Sequence, residues 1–359
     1  MPEKNRLLAA FLSAFLGCAA ESGEEPNVSS GAGLMSVGAP DTDGGETSEG
    51  GGDDDDDAAD DSDGFKLDVG PGAGDEGAGD EGGDDGKCQA VDLLFVIDNS
   101  LSMADDQADL IAAFPQFADA IFAALPEGIS LHVGVTTTSG FWTGPNTEDT
   151  FNCVSDYSVA ELATDYWEPV AGDSPVNGER GQLYEHQGLR YFDTNTSADP
   201  QMLADWFTGA AQRGENGTNI EMMAAAAGWT LDPLRADTNA GFLRDEDAVL
   251  VLFFITDEPD KSPEPIDPFV QMVLDAKAGC GGDQCIVTAG AVPSFCYQNA
   301  GDTTLFDFMN AFGKPPASVG FIPESFNMPL PPPPDYTAIL GDALVDVIAE
   351  TCDAIVPEG

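Results

Sequence analysis

From Cys88 onward, apolar residues fall into short runs separated by amphipathic stretches. Val91–Ile97 is almost wholly apolar and reads as a buried strand, and Ala248–Thr256 (AVLVLFFIT) is the strongest such run. Ile129–Thr138 and Cys285–Val292 give two more strands. Between the first two, Ser102–Leu125 sets Leu110, Phe114, Phe117, Ala118, Ile121 and Phe122 on one helical face, with Pro115 predicting a kink or break. Helices are also predicted over Gln201–Gln212, Asn219–Leu231, Asp267–Ala278, Thr304–Phe312 and Tyr336–Cys352. Pro315–Pro334 is proline-rich and ends in Pro331–Pro334, an expected polyproline II stretch. Apolar strands alternating with helices predict an α/β fold: an open, mostly parallel central sheet with helices on both faces.

One stretch breaks the alternation. Ser139–Pro200 is rich in Gly, Asn, Asp, Thr and aromatic residues, too long for a plain connection, and reads as an insertion with small elements of its own. Trp142, Trp167, Tyr184, Tyr191 and Trp206 lie in or near it, and their size favours packing inside the insertion over lining a binding rim.

Charge adds a second division. The 359 residues carry a formal net charge of −53. Residues 1–87 hold 23 Asp and Glu against 4 Lys and Arg, which leaves 42 acids and 8 bases beyond them. The foldable part is therefore strongly acidic itself. Such a surface repels nucleic acid and anionic lipid, so neither is an expected partner, and it attracts cations and basic surfaces. Residues 19–87 are dominated by Gly, Asp, Glu, Ser and Ala, with an aspartate run at Asp53–Asp57, and are expected to form a disordered linker extended by its own charge.

The first 18 residues carry Lys4 and Arg6, then the apolar Leu7–Gly17, then Cys18. This is the pattern of an export signal, too short to span a bilayer comfortably. Cys18 directly after Leu16-Gly17 resembles a bacterial lipobox, which implies lipidation of Cys18 and a place in the cell envelope, at the outer membrane or in the periplasm. Cleavage near Ala19-Ala20, and secretion, is the alternative. Six cysteines remain: Cys88, Cys153, Cys280, Cys285, Cys296 and Cys352. An even number in an exported chain points to disulfides, with 15 connectivities open. Cys280 and Cys285 are spaced to close a small loop, and Cys88 and Cys352 to staple the ends of a domain over 88–359.

The chemistry is concentrated after the first strand. Asp98 ends the apolar run, and Ser100 and Ser102 follow at two and four positions. Three oxygen donors on one tight loop at the carboxyl end of a strand can hold a hard divalent cation at the crevice of an open α/β sheet. This Asp98-x-Ser100-x-Ser102 pattern resembles the metal-ion-dependent adhesion site of von Willebrand factor type A (vWA) domains, which have a Rossmann-like sheet. The phrases Phe95-Val-Ile-Asp-Asn-Ser100, His132-Val-Gly-Val-Thr-Thr137 and Gly241-Phe-Leu-Arg-Asp245 look like those of bacterial surface lipoproteins carrying this domain. The resemblance covers about Cys88 to Cys352. It implies a threonine from a loop opening a later helix, matched by Thr218, and an aspartate ending a central strand, matched by Asp257. The implied ligand set is Asp98, Ser100, Ser102, Thr218 and Asp257. The implied ion is Mg²⁺, with Mn²⁺ or Ca²⁺ as alternatives. The implied role is adhesion to a partner protein that offers an acidic side chain to the ion.

Plainer readings stand beside it. Ser102-x-x-Asp105 and Thr218-x-x-Glu221 fit helix caps, and Asp257 fits a turn. Leu101 stands where the family usually has glycine, so a closed loop and a scaffold with a silent site is one alternative. A metal-dependent hydrolase at the same crevice is another, with Glu258 and Asp260 as the nearby candidates for a general base. No Gly-x-Ser-x-Gly elbow or His-Glu-x-x-His motif is present, and the expectation is a binding module, not an enzyme. Of the two histidines, His132 falls in a strand, where half-burial is a plainer reading than catalysis.

Overall fold

The computed structural model describes residues 90–124, 129–144, 166–195, 198–218, 220–293, 304–322, 334–341 and 351. All lie in Gly77–Gly359, one of the two units of the chain. The expected signal at 1–18, the linker at 19–87, Cys18, Cys88, Cys153, Cys296, Cys352 and the start of the Pro331–Pro334 run fall outside the described residues.

Four parallel strands form where the apolar runs predict them: β1 (Ala90–Ile97), β2 (Ser130–Thr137), β4 (Ala248–Ile255) and β5 (Ile286–Pro293). Two short strands complete the sheet, β3 (Tyr191–Asp193) and β6 (Ser318–Ile322). The order is β3-β2-β1-β4-β5-β6, and every pair is parallel except β2–β3. β1, β4 and β5 are buried along their whole length, which is why they read as continuous apolar runs instead of alternating ones.

Side chains of alternate parity feed two cores. Val91, Leu93, Phe95 and Ile97 of β1 join Val249–Ile255 positions of the same parity on β4 under α1 (Ala104–Ala124) and α2 (Pro200–Ala211). There Phe114 and Phe207 stack with ring centroids 3.5 Å apart. Leu94, Val96, Leu250, Leu252 and Phe254 face the other way, onto α3 (Met223–Leu231), α4 (Asp267–Ala276) and α5 (Thr304–Asn310). The fold class is thus the one expected: an open, mostly parallel sheet covered on both faces.

Several local expectations are corrected. Pro115 neither breaks nor ends α1, which runs through it as one 21-residue helix. It sits on the exposed side of the helix. α3 begins four residues later than expected, and Asn219 lies outside the described residues. β6 falls inside the proline-rich stretch, and residues 336–341 are helical. α2 begins at Pro200, where the Asp199 carboxylate accepts from the Gln201 amide at 3.0 Å. Cys280 and Cys285 do close their small loop, with an S–S distance of 1.96 Å and Cα atoms 6.1 Å apart.

Candidate functional site

The sheet order places the site. The chain winds outward from β1 through β2 to β3, then returns to the other side of β1 with β4. The carboxyl ends of β1 and β4 therefore flank the point where connections leave in opposite directions, the place where open α/β sheets bind ligands. Ile97 and Ile255 are register partners, and the Asp98 amide extends the ladder to the Ile255 carbonyl at 2.9 Å. Asp98 and Asp257 thus leave adjacent strands side by side.

Four predicted residues form one hydrogen-bonded chain. Asp98 is fully buried; Oδ1 accepts from the Ser100 amide at 2.7 Å and Oδ2 from the Thr256 hydroxyl at 2.8 Å. The Ser100 and Ser102 hydroxyls lie 3.2 Å apart, and Ser102 donates to Asp257 Oδ1 at 3.0 Å. Thr218 joins through backbone: the Gly217 amide donates to the Asn99 carbonyl at 2.8 Å, and the Thr218 hydroxyl donates to the Ile220 carbonyl at 3.1 Å. Gly217 is required there, because a Cβ would lie 2.6 Å from the Asn99 oxygen.

The plainer readings fare differently. Ser102 lies inside the 3₁₀ turn Leu101–Met103 that leads into α1, not before it, and its hydroxyl donates to Asp257. Thr218 and Glu221 form no capping box. The open amides of α3 are met by Asp260, whose Oδ1 accepts from Met223 at 2.9 Å and Oδ2 from Ala224 at 3.2 Å. Leu101 points into solvent, 70% exposed, and Ser102 beside it is exposed too, so the glycine replacement does not fold the side chain over the donors. Of the aromatics, Trp142 and Trp206 are buried, Tyr184 and Tyr191 half-buried, and Trp167 is 43% exposed under the Arg180 guanidinium. The described part of the insertion reaches the site through Ser139, whose hydroxyl donates to Asn99 Oδ1 at 2.7 Å. His132 is buried, with Nδ1 2.7 Å from the Phe242 carbonyl.

The electrostatics are those of acids held too close together. Burial, and then the Asp257 charge, push the Asp98 carboxyl up to about 7. Burial with the Asp98 and Asp257 charges takes Glu258 up to about 8, against the opposing pull of Lys261. Asp106, on the first turn of α1, rises to about 7 through burial and the Asp257 charge. Glu221 was not foreseen as part of this group. It is fully buried and raised well above its ordinary value, first by burial and then by Asp98. Thr138 donates to one of its oxygens, while Oε1 has no hydrogen-bond partner among the described residues. Its spacing from Thr218 imitates a capping box, and only the fold reveals that its carboxyl turns inward.

These donors fit a hard divalent cation. Carboxylate and hydroxyl oxygens are its preferred ligands, and a dication would reverse the repulsion that raises Asp98, Glu221 and Glu258. Among the described residues, no three His, Cys, Asp or Glu are grouped to hold a metal, so an ion here depends on the serine and threonine hydroxyls as well.

A pH dependence follows. Each raised carboxyl binds its proton more tightly in the folded chain than in the unfolded one. That contribution to stability is complete below about pH 4, the ordinary carboxylate range, and is lost as pH climbs through the folded values of about 7 and 8. In chelator, the urea midpoint is expected to fall between pH 5 and pH 8. A midpoint that is flat or rising over that window would contradict the carboxyl crowding described here.

No protein-family model matches the chain, and no curated protein is similar to it. Among solved structures, it is similar to proximal thread matrix protein 1 from the mussel byssus, at 11% identity and a TM-score of 0.36, over 73% of this chain and 49% of that one. A second structure of that byssus protein matches at 12% identity and a TM-score of 0.35, over 74% and 48%. A von Willebrand factor type A protein from Catenulispora acidiphila matches at 15% identity and a TM-score of 0.32, over 75% and 43%. This chain thus spans less than half the length of each solved chain it matches here.

Proposed function

We propose that this chain is a divalent-metal-dependent binding module of the von Willebrand factor type A kind, exported and held in the cell envelope by a lipid on Cys18. The observation that carries the reading is the hydrogen-bonded chain Asp98–Ser100–Ser102–Asp257 at the switch point between β1 and β4. Asp98 and Asp257 supply the charge, Ser100 and Ser102 the neutral oxygens on the same loop, and Thr218 a further hydroxyl from the loop docked on Asn99. Mg²⁺ is the ion proposed, with Mn²⁺ and Ca²⁺ as alternatives. When bound, the ion supplies a position that a partner's carboxylate can complete. The partner is a protein with an exposed acidic side chain. Asp98 stays fixed by Ser100 and Thr256 throughout, and the exposed Ser102 marks the side from which a partner approaches.

Binding is preferred to catalysis because one of the two candidates for a general base, Asp260, is committed. Asp260 is buried and spends its oxygens on α3 and on Ser262, which leaves it no role as a general base. Attachment to the membrane is assigned to the lipid alone; among the described residues no helix is long and apolar enough to cross a membrane. The linker at 19–87 then holds the domain away from the lipid surface.

Calorimetric titration of the purified chain with Mg²⁺, Mn²⁺ and Ca²⁺ tests this. The wild type is expected to bind one ion, and Asp257→Ala to lose at least tenfold in affinity. Failure of all three ions to bind the wild type would remove the basis of the reading.

A further inference from the structure

The loop that carries Thr218 and the loop that carries Asp98 come from distant parts of the chain, and a buried amide lies between them. Gln107, on the first turn of α1, is 3% exposed. Its Nε2 donates to the Asp98 carbonyl at 3.0 Å and to the Gly214 carbonyl at 3.1 Å. Its Oε1 accepts from the Arg213 amide at 3.0 Å and from the Gly214 amide at 3.2 Å. A primary amide has two N–H donors and two carbonyl lone pairs, so all four positions are used. Only a glutamine-length amide both donates to one loop and accepts from the other. A glutamate would lose both donors, and a methionine of similar length would lose all four bonds.

Gln107 makes no hydrogen bond to a side chain of the proposed ligand set. It holds the backbone of Asp98 and the segment at 213–214 that leads to Thr218. The second tie between these loops is the Gly217–Asn99 backbone bond. Between the two ties the chain has only Glu215 and Asn216, so the segment that leads into Thr218 is held to the Asp98 loop at two points.

We infer that Gln107 is a positioning residue for the metal site, one that fixes the Thr218 loop against the Asp98 loop so that both present their oxygens to the same ion. This inference rests on the metal-binding reading above. It predicts a particular signature. Loss of Gln107 weakens the ion by misplacing Thr218, so the loss should disappear once Thr218 has no hydroxyl to offer.

The test is Mn²⁺ titration calorimetry on the full chain, with thermal unfolding in chelator as the check that each variant folds. Gln107→Met is expected to bind Mn²⁺ about tenfold more weakly, the usual effect of removing a group that orients a ligand. Thr218→Ala is expected to weaken binding as well, and the double variant to bind no more weakly than Thr218→Ala alone. Gly217→Ala acts on the same loop from the other tie, since its methyl group would meet the Asn99 carbonyl at 2.6 Å. It should show the same non-additivity with Thr218→Ala, and it decides the matter if Gln107→Met does not fold. If the wild type binds Mn²⁺ and both single variants bind it equally well, the positioning role is overturned while the metal site stands. Additive losses in the doubles would overturn it too, by assigning the effect to something other than Thr218. If the wild type does not bind Mn²⁺, both the metal site and this role are lost together.

Discussion

Mg²⁺ at one hundred times its dissociation constant should stabilise the folded chain by about 2.7 kcal/mol. For a domain of this size that is a rise of about 5–10 °C in thermal midpoint. Asp98→Ala should abolish the rise. Asp98 is the right residue to remove because it is fully buried, ends β1, and anchors the Ser100 amide and the Thr256 hydroxyl through its two oxygens. Asp98→Asn separates charge from structure. It keeps an acceptor at that position but deletes the charge that raises Glu221 and Glu258. At pH 8 in chelator it should unfold at a higher temperature than the wild type, yet ignore Mg²⁺. A wild type and an Asp98→Asn variant that respond equally to Mg²⁺ would show that the ion stabilises the chain from another place.

The largest loss of stability is expected at the other end of β1. Asp92 is fully buried, and Arg244 holds it through its own amide at 2.8 Å and its guanidinium at 2.6 and 2.8 Å. The same guanidinium donates to the Val91 carbonyl at 2.7 Å and to Ser130. Arg244→Met leaves the buried carboxyl without the guanidinium, with His132 Nδ1 at 3.5 Å and the Lys277 charge as its remaining polar neighbours, and breaking a buried pair from one side costs about 3–5 kcal/mol. Replacing both partners, as in Asp92→Leu with Arg244→Met, should recover part of that loss, because the buried carboxyl is then gone, while the buried Lys277 loses the Asp92 charge that supports it. Urea denaturation measures both. A loss below about 1 kcal/mol in the single variant would mean that the carboxyl is readily neutralised. Asp92 and Asp98 are six residues apart on an extended strand, about 20 Å. The Mg²⁺ response of the folded Arg244→Met protein should therefore be that of the wild type.

How much of this was legible in the sequence depends on how local each feature is. β1, β4 and β5 announce themselves because a strand buried on both faces is apolar along almost all of its length. The residues at their carboxyl ends inherit their places from that. Asp98, Ser100 and Ser102 share one loop, and Asp257 follows the neighbouring strand, so their convergence needed only the sheet order. β3 and β6 were missed: three and five residues at the sheet edges carry too little pattern. Gln107, Glu221 and Asp260 could not be assigned either. Each acts on a partner remote in sequence: Gln107 on residues 213–214, Glu221 on Thr138, Asp260 on the start of α3. Their neighbours along the chain suggest a cap for Glu221 and a general base for Asp260, and nothing at all for Gln107. Leu101 misled in the other direction. A large residue in place of glycine suggests obstruction, but the loop turns it outward.

The two outermost strands have a consequence for how copies of this chain meet. β3 offers three residues, and β6 offers five, of which Gly320 is approached so closely by Ile339 that a Cβ there would lie 2.0 Å from that side chain. Among the described residues, so little free backbone at either margin gives a neighbour's strand almost nothing to zip onto. Copies crowded side by side should therefore not join edge to edge through these strands.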